Sequence, residues 1–159
     1  MTATTDRPMF TAPEPADVLV VSRDPAEVAK ARHWLAQLLV SHGVGPPRCE
    51  DAVLMVSELV TNGMRHGHGA VVLRASVSGD GTVMLAVNDA GDHTDSAGPQ
   101  KQEVDLRRVG GMGLRIVESI STNWGVVRYP GGTTVWVVLA GDHANRGGPG
   151  GAYDQAHGI

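Results

Sequence analysis

Glu58 and Asn62 stand four residues apart in the stretch Ala52-Val-Leu-Met-Val-Ser-Glu-Leu-Val-Thr-Asn-Gly-Met-Arg-His-Gly67. On a helix that spacing puts a carboxylate and a carboxamide on one face, a turn apart. Their neighbours are mostly apolar, and a carboxylate in such surroundings needs a partner, because an unpaired buried charge is costly. A cation carrying phosphates is one such partner. By itself a Glu and an Asn at this spacing is most often a solvated face, so the pair needs support from elsewhere in the chain.

Three further segments offer it. Asn88-Asp89-Ala90-Gly91 closes one apolar run, and Gly110-Gly111-Met112-Gly113 leads into Leu114-Arg-Ile-Val-Glu-Ser-Ile120. Gly132-Thr133-Thr134 opens the last apolar run. Glycines at a helix entry suit phosphate, because bare N–H groups and the helix dipole both attract anions there. Each segment is weak alone. Asp-x-Gly is a common turn, and a lone Gly-x-Gly is more often a tight turn than a phosphate site.

The elements that must position these residues follow from periodicity. Asp17 to Ser22 reads as a first strand. Asp24, Pro25 and Glu27 read as an N-cap, a first-turn proline and a capping Glu, which predicts a helix over about 25–41 with Gly43 as its stop. A second helix runs from near Pro47 to His66-Gly67. Cys49, Val53, Val56, Val60 and Met64 form its sheet-facing stripe. Asp51, Met55, Glu58, Asn62 and Arg65 form the neighbouring stripe, so the polar pair sits beside the buried face. Residues 70–77 and 82–89 form a hairpin around Ser78-Gly-Asp-Gly81. A short helix over 114–120 and two strands, 124–129 and 133–139, complete the pattern. Hairpins in place of regular βα alternation argue for an α+β fold. The expected form is a two-layer sandwich, a mixed and mostly antiparallel sheet covered on one face by helices.

Bulk properties narrow the class. With 159 residues and a net charge of −4, the chain is one acidic domain without the basic surface of a nucleic-acid binder. Its single cysteine, Cys49, fits a reducing compartment. No apolar signal core or membrane-length run is present, so a cytoplasmic protein is expected. Residues 1–15 and the Gly-rich stretch 141–159 are expected to be disordered around a working domain over 16–140. His42, His66, His68 and His93 show no i,i+4 pair and no Cys partner, so no transition-metal site is expected. His66 is read as a helix end. Trp34, Trp124 and Trp136 are read as packing residues.

Taken in order, the Glu58–Asn62 helix, Asp89-Ala90-Gly91, Gly111-Met112-Gly113 and Gly132-Thr133-Thr134 resemble the four nucleotide-binding boxes of the GHKL ATP-binding superfamily. The wording Ser-Glu-Leu-Val-Thr-Asn-Gly-Met-Arg-His-Gly, with Gly-Met-Gly-Leu-Arg-Ile-Val-Glu and Trp124-Gly125 after it, is similar to the anti-sigma-factor serine kinases of the RsbW-like type. The resemblance covers about residues 16–140. One departure is His93, where many members have a glycine.

The resemblance implies ATP and Mg²⁺ as cofactors. It makes Asn62 the Mg²⁺ ligand, a single hard oxygen donor, and Glu58 the base that takes a proton during phosphoryl transfer. It makes Asp89 the acceptor for the adenine amino group, where guanine would present a carbonyl. Gly91, Gly111, Gly113, Leu114 and Thr133 would line the nucleotide, and residues 92–109 would form a lid. The implied partners are a sigma factor and a small antagonist protein, with a possible homodimer and no contact with nucleic acid or membrane. The alternative is a nucleotide-gated protein-binding regulator without phosphotransferase activity.

Overall fold

The computed structural model describes residues 16–66, 69–90, 112–129 and 131–141. The segments expected to be disordered lie outside these residues, apart from Gly141. In chain order the elements are β1 (Asp17–Val21), α1 (Glu27–Ser41), α2 (Pro46–His66), β2 (Val71–Val77), β3 (Val83–Ala90), α3 (Met112–Ile120), β4 (Asn123–Tyr129) and β5 (Gly132–Leu139). The strands form one sheet in the order β1-β2-β3-β5-β4, and each described pairing is antiparallel. This is the expected α+β sandwich.

Burial largely alternates along β2, β3 and β5, as a sheet with one covered face requires, with Ala86 buried out of phase in β3. Leu73, Ala75, Val83, Leu85, Val87, Val135, Val137 and Leu139 point into the core. They meet Ala31, Leu35 and Leu39 of α1 and the buried face of α2. Val18 and Val20, on the opposite face, are exposed.

The helix ends follow local chemistry. Asp24 does not cap α1. Its Oδ1 accepts from Ala26 N at 2.9 Å and its carbonyl from Glu27 N at 2.9 Å. Asp24-Pro25 is therefore an Asx turn that delivers the chain into a helix starting at Glu27. At the other end Gly43 has φ of +72°. Gly43 N donates to Val40 O and Val44 N to Leu39 O, the paired bonds of a Schellman stop. The β2–β3 turn closes with Gly81 N on Ser78 O, and Gly81 takes φ of +81°.

The face of α2 is rotated from the expected stripe. Ala52, Met55, Val56, Leu59, Val60 and Gly63 are buried, while Val53 is half-buried. A helix on a sheet buries a broad band, not a single row, and Met55 and Leu59 widen that band on the side nearer Glu58. Gly63 lets α2 lie close: a Cβ there would meet Val71 and Val87 at 3.5 and 3.6 Å, ordinary contact distances. Gly125 differs, because its cross-strand partner Trp136 lies over it and a Cβ would come within 2.6 Å of the indole ring.

Cys49 lies near the start of α2, where its Sγ donates to Val44 O at 3.4 Å. Burial, and secondarily the charge of Glu50, push its pKa up.

Two outcomes follow from these environments. Gly63→Ala should stabilise the fold by about 0.5–1 kcal/mol, since the helix gains a better former without a clash. Gly125→Ala should cost about 1–3 kcal/mol by displacing Trp136. Urea titrations measure both, and a destabilised Gly63→Ala would contradict the close but unstrained seating. The Cys49 thiol is held protonated in the fold. Its contribution to stability is therefore complete below the ordinary thiol range and is lost as pH rises through the raised folded value. An aromatic disulfide reagent at pH 8 should label it at least ~10-fold more slowly in native protein than in urea. Equal rates would contradict this.

Candidate functional site

The direction of α2 sets the site. At its N-terminal end Arg48 donates from Nη1 to Gly81 O at 3.3 Å and to Ala140 O. That fixes the start of α2 beside the β2–β3 hairpin and the end of β5. At its C-terminal end Gly63 rests on Val71 and Val87. The helix rises about 31 Å over its length, a little more than the span of an eight-residue strand. Glu58 and Asn62 are consequently carried to the end of the sheet where β3 finishes.

Asp89 is at that end. The row Val83, Leu85, Val87, Asp89 faces the helix layer, so the carboxylate replaces the last apolar side chain of a core row. It is the sole charged residue among the described buried positions, at 8% exposed. Its cross-strand neighbours are Val71 on β2 and Thr133 on β5. Thr133 N donates to Asp89 Oδ1 at 3.0 Å, which orients the carboxyl group. No other hydrogen bond reaches Asp89 from the described residues. The second carboxylate oxygen is thus held in a fixed direction without a protein donor among them.

Glu58 and Asn62 are half-buried on one side of α2, flanking its core face as expected. Thr133 is half-buried opposite Asp89 and contributes its backbone N–H. Gly113 and Leu114 fall in the first turn of α3, which packs on α2 and β4. The helix begins two residues earlier than the apolar spacing predicts, so the glycine is inside it. Gly91, Gly111 and the expected lid over 92–109 lie outside the described residues.

Sequence reasoning missed the two arginines that seat α2. Arg48 and Arg23 bond to carbonyls 33 to 92 residues away in the chain. No local pattern marks such partners. A cleft of about 350 Å³ between the α1–α2 link and the β2–β3 hairpin, lined by His42, Arg48 and Asp80, lies at the opposite end of α2 from Asn62. It is separate from the Asp89 cluster.

The fold is a helix-backed antiparallel sheet whose β3 ends on the buried Asp89 carboxylate. Residues 21–139 match the model of the histidine kinase-like ATPase domain, and the chain belongs to that family. The serine-protein kinase RsbW of Staphylococcus aureus is 31% identical over 98 residues, covering 53% of this chain and 61% of that protein. The chain therefore matches about three fifths of that relative's length. Among solved structures, the histidine kinase domain from the Erythrobacter litoralis EL346 blue-light activated histidine kinase is similar with a TM-score of 0.46 and 19% identity. That likeness covers 81% of this chain and 69% of that one.

Proposed function

We propose that this chain is an ATP- and Mg²⁺-dependent protein serine/threonine kinase of the anti-sigma type, acting in the cytoplasm. It holds a sigma factor inactive and phosphorylates a small antagonist protein that competes for the same complex. A homodimer belongs to the same reading. Family membership and the similarity to the serine-protein kinase of Staphylococcus aureus support the kinase assignment.

The observation that carries the nucleotide half is the buried Asp89 carboxylate, with one oxygen engaged by Thr133 N and the other without a partner among the described residues. An exocyclic amino group on a flat base suits that oxygen. Adenine supplies one, whereas guanine would oppose a carbonyl to it. Asn62 and Glu58 offer oxygen donors only, which fits a hard cation. Asn62 would hold Mg²⁺ through its carboxamide oxygen. When bound, the ion offsets the charge of the phosphates.

In this reading Glu58, one turn before Asn62, is the base. A serine hydroxyl oxygen bonds to the γ-phosphorus as the bond to the β,γ-bridging oxygen breaks. ADP leaves with that electron pair, and the hydroxyl proton passes to the Glu58 carboxylate. The four boxes from Glu58 to Thr133 then act on one nucleotide, with Gly91, Gly111, Gly113 and Leu114 lining it.

Calorimetry with Mg²⁺ and ATP should show Asn62→Ala weakened by about 10- to 100-fold. Glu58→Gln should bind ATP normally yet transfer labelled phosphate to a serine of a co-purified antagonist ~10²- to 10⁴-fold more slowly. Affinity unaffected by Asn62→Ala would remove the metal assignment. Transfer unaffected by Glu58→Gln would remove the base. Firm ATP binding with no transfer in the wild type would instead favour a nucleotide-gated regulator.

A further inference from the structure

Arg23 lies two residues beyond β1 and makes three hydrogen bonds, each to a distant backbone carbonyl. Nε donates to Gly69 O at 2.6 Å, and Nη1 donates to Gly63 O at 3.1 Å and Met64 O at 2.6 Å. Nη2 is buried with no partner among the described residues, so Nε and Nη1 carry the whole grip. Gly63 and Met64 directly follow Asn62, in the final turn of α2. Carbonyls there lack amide partners within their own helix. A cation is also favoured at this end of a helix.

Gly69 lies three residues after the end of α2 in the sequence. Two residues later Val71 pairs with Asp89, and a Cβ on Gly69 would sit 3.7 Å from that of Ala90. One guanidinium therefore bridges the turn that carries Asn62 and the strand ends that carry Asp89. The planar fork holds both sides in a set relation, because its donors sit at fixed angles.

We propose that Arg23 is a positioning residue of the nucleotide site, holding the Asn62 carboxamide at a set distance and angle from the Asp89 carboxylate. The proposal rests on the reading that these two residues serve one bound nucleotide. Arg23 touches neither the base nor the phosphates. It acts through Asn62, as groups that orient a metal ligand do.

The test is a cycle of Arg23→Ala, Arg23→Lys, Asn62→Ala and the Arg23→Ala/Asn62→Ala double variant. ATP binding is measured by calorimetry in Mg²⁺ and in EDTA, well below each unfolding midpoint. Arg23→Ala should lose about 10-fold in Mg²⁺ and far less in EDTA. It should add nothing to the loss already caused by Asn62→Ala. Arg23→Lys keeps the cation but not the fork, so its loss should be smaller and equally confined to Mg²⁺. If Arg23→Ala does not fold, Arg23→Lys carries the same comparison on both backgrounds. A lowered melting temperature with an unchanged Mg²⁺-to-EDTA ratio would make Arg23 merely structural and overturn the proposal. So would losses that add to those of Asn62→Ala, and either result leaves the nucleotide site standing. ATP affinity indifferent to Asn62→Ala itself would overturn both.

Discussion

Both ends of α2 are held by arginines that bond to backbone carbonyls of other segments. Arg48 reaches Gly81 O and Ala140 O, and Arg23 grips Gly63 O, Met64 O and Gly69 O. Between them the helix lies against the sheet, closely enough at Gly63 that a Cβ there would reach Val71 and Val87. A helix is a stiff rod, so fixing its ends also fixes which side chains face the core and which flank it. Glu58 and Asn62 are then neither solvated nor sealed. They stand at the margin of the core, beside the strand end that carries Asp89.

A carboxylate at the end of an apolar row destabilises the fold unless its charge is matched. Thr133 N matches half of it. The remainder is a directional acceptor held by the central strand β3 and its neighbour β5. Rigid framing of that kind favours recognition of a flat, donor-bearing ligand, because little ordering remains to be done on binding.

Much of this arrangement is legible in the sequence. Gly43, Gly81 and the alternation in β2, β3 and β5 mark their elements because the responsible physics is local: positive φ, turn closure and period-two burial. Asp24 misleads for a local reason too, since an Asx turn and an N-cap draw on the same side-chain chemistry. Met55 and Leu59 belong to the core because the breadth of the sheet contact, absent from any helical repeat, decides how wide the buried face is. The roles of Arg23 and Arg48 are not legible, because their partners are carbonyls, which every residue possesses. The candidate residues Glu58, Asn62, Asp89 and Thr133 come from the sequence motifs and belong to the proposed reading. The register that sets Thr133 opposite Asp89, and so the N–H on its carboxylate, belongs to the folded sheet.

Base selectivity tests the central claim most directly, since it isolates the Asp89 oxygen from metal binding and phosphoryl transfer. Calorimetry of the wild-type protein should show ATP and ADP binding with GTP and GDP at least ~10-fold weaker, and Asp89→Asn should erase most of that preference. Equal affinity for adenine and guanine nucleotides, or a preference that survives Asp89→Asn, would contradict the account.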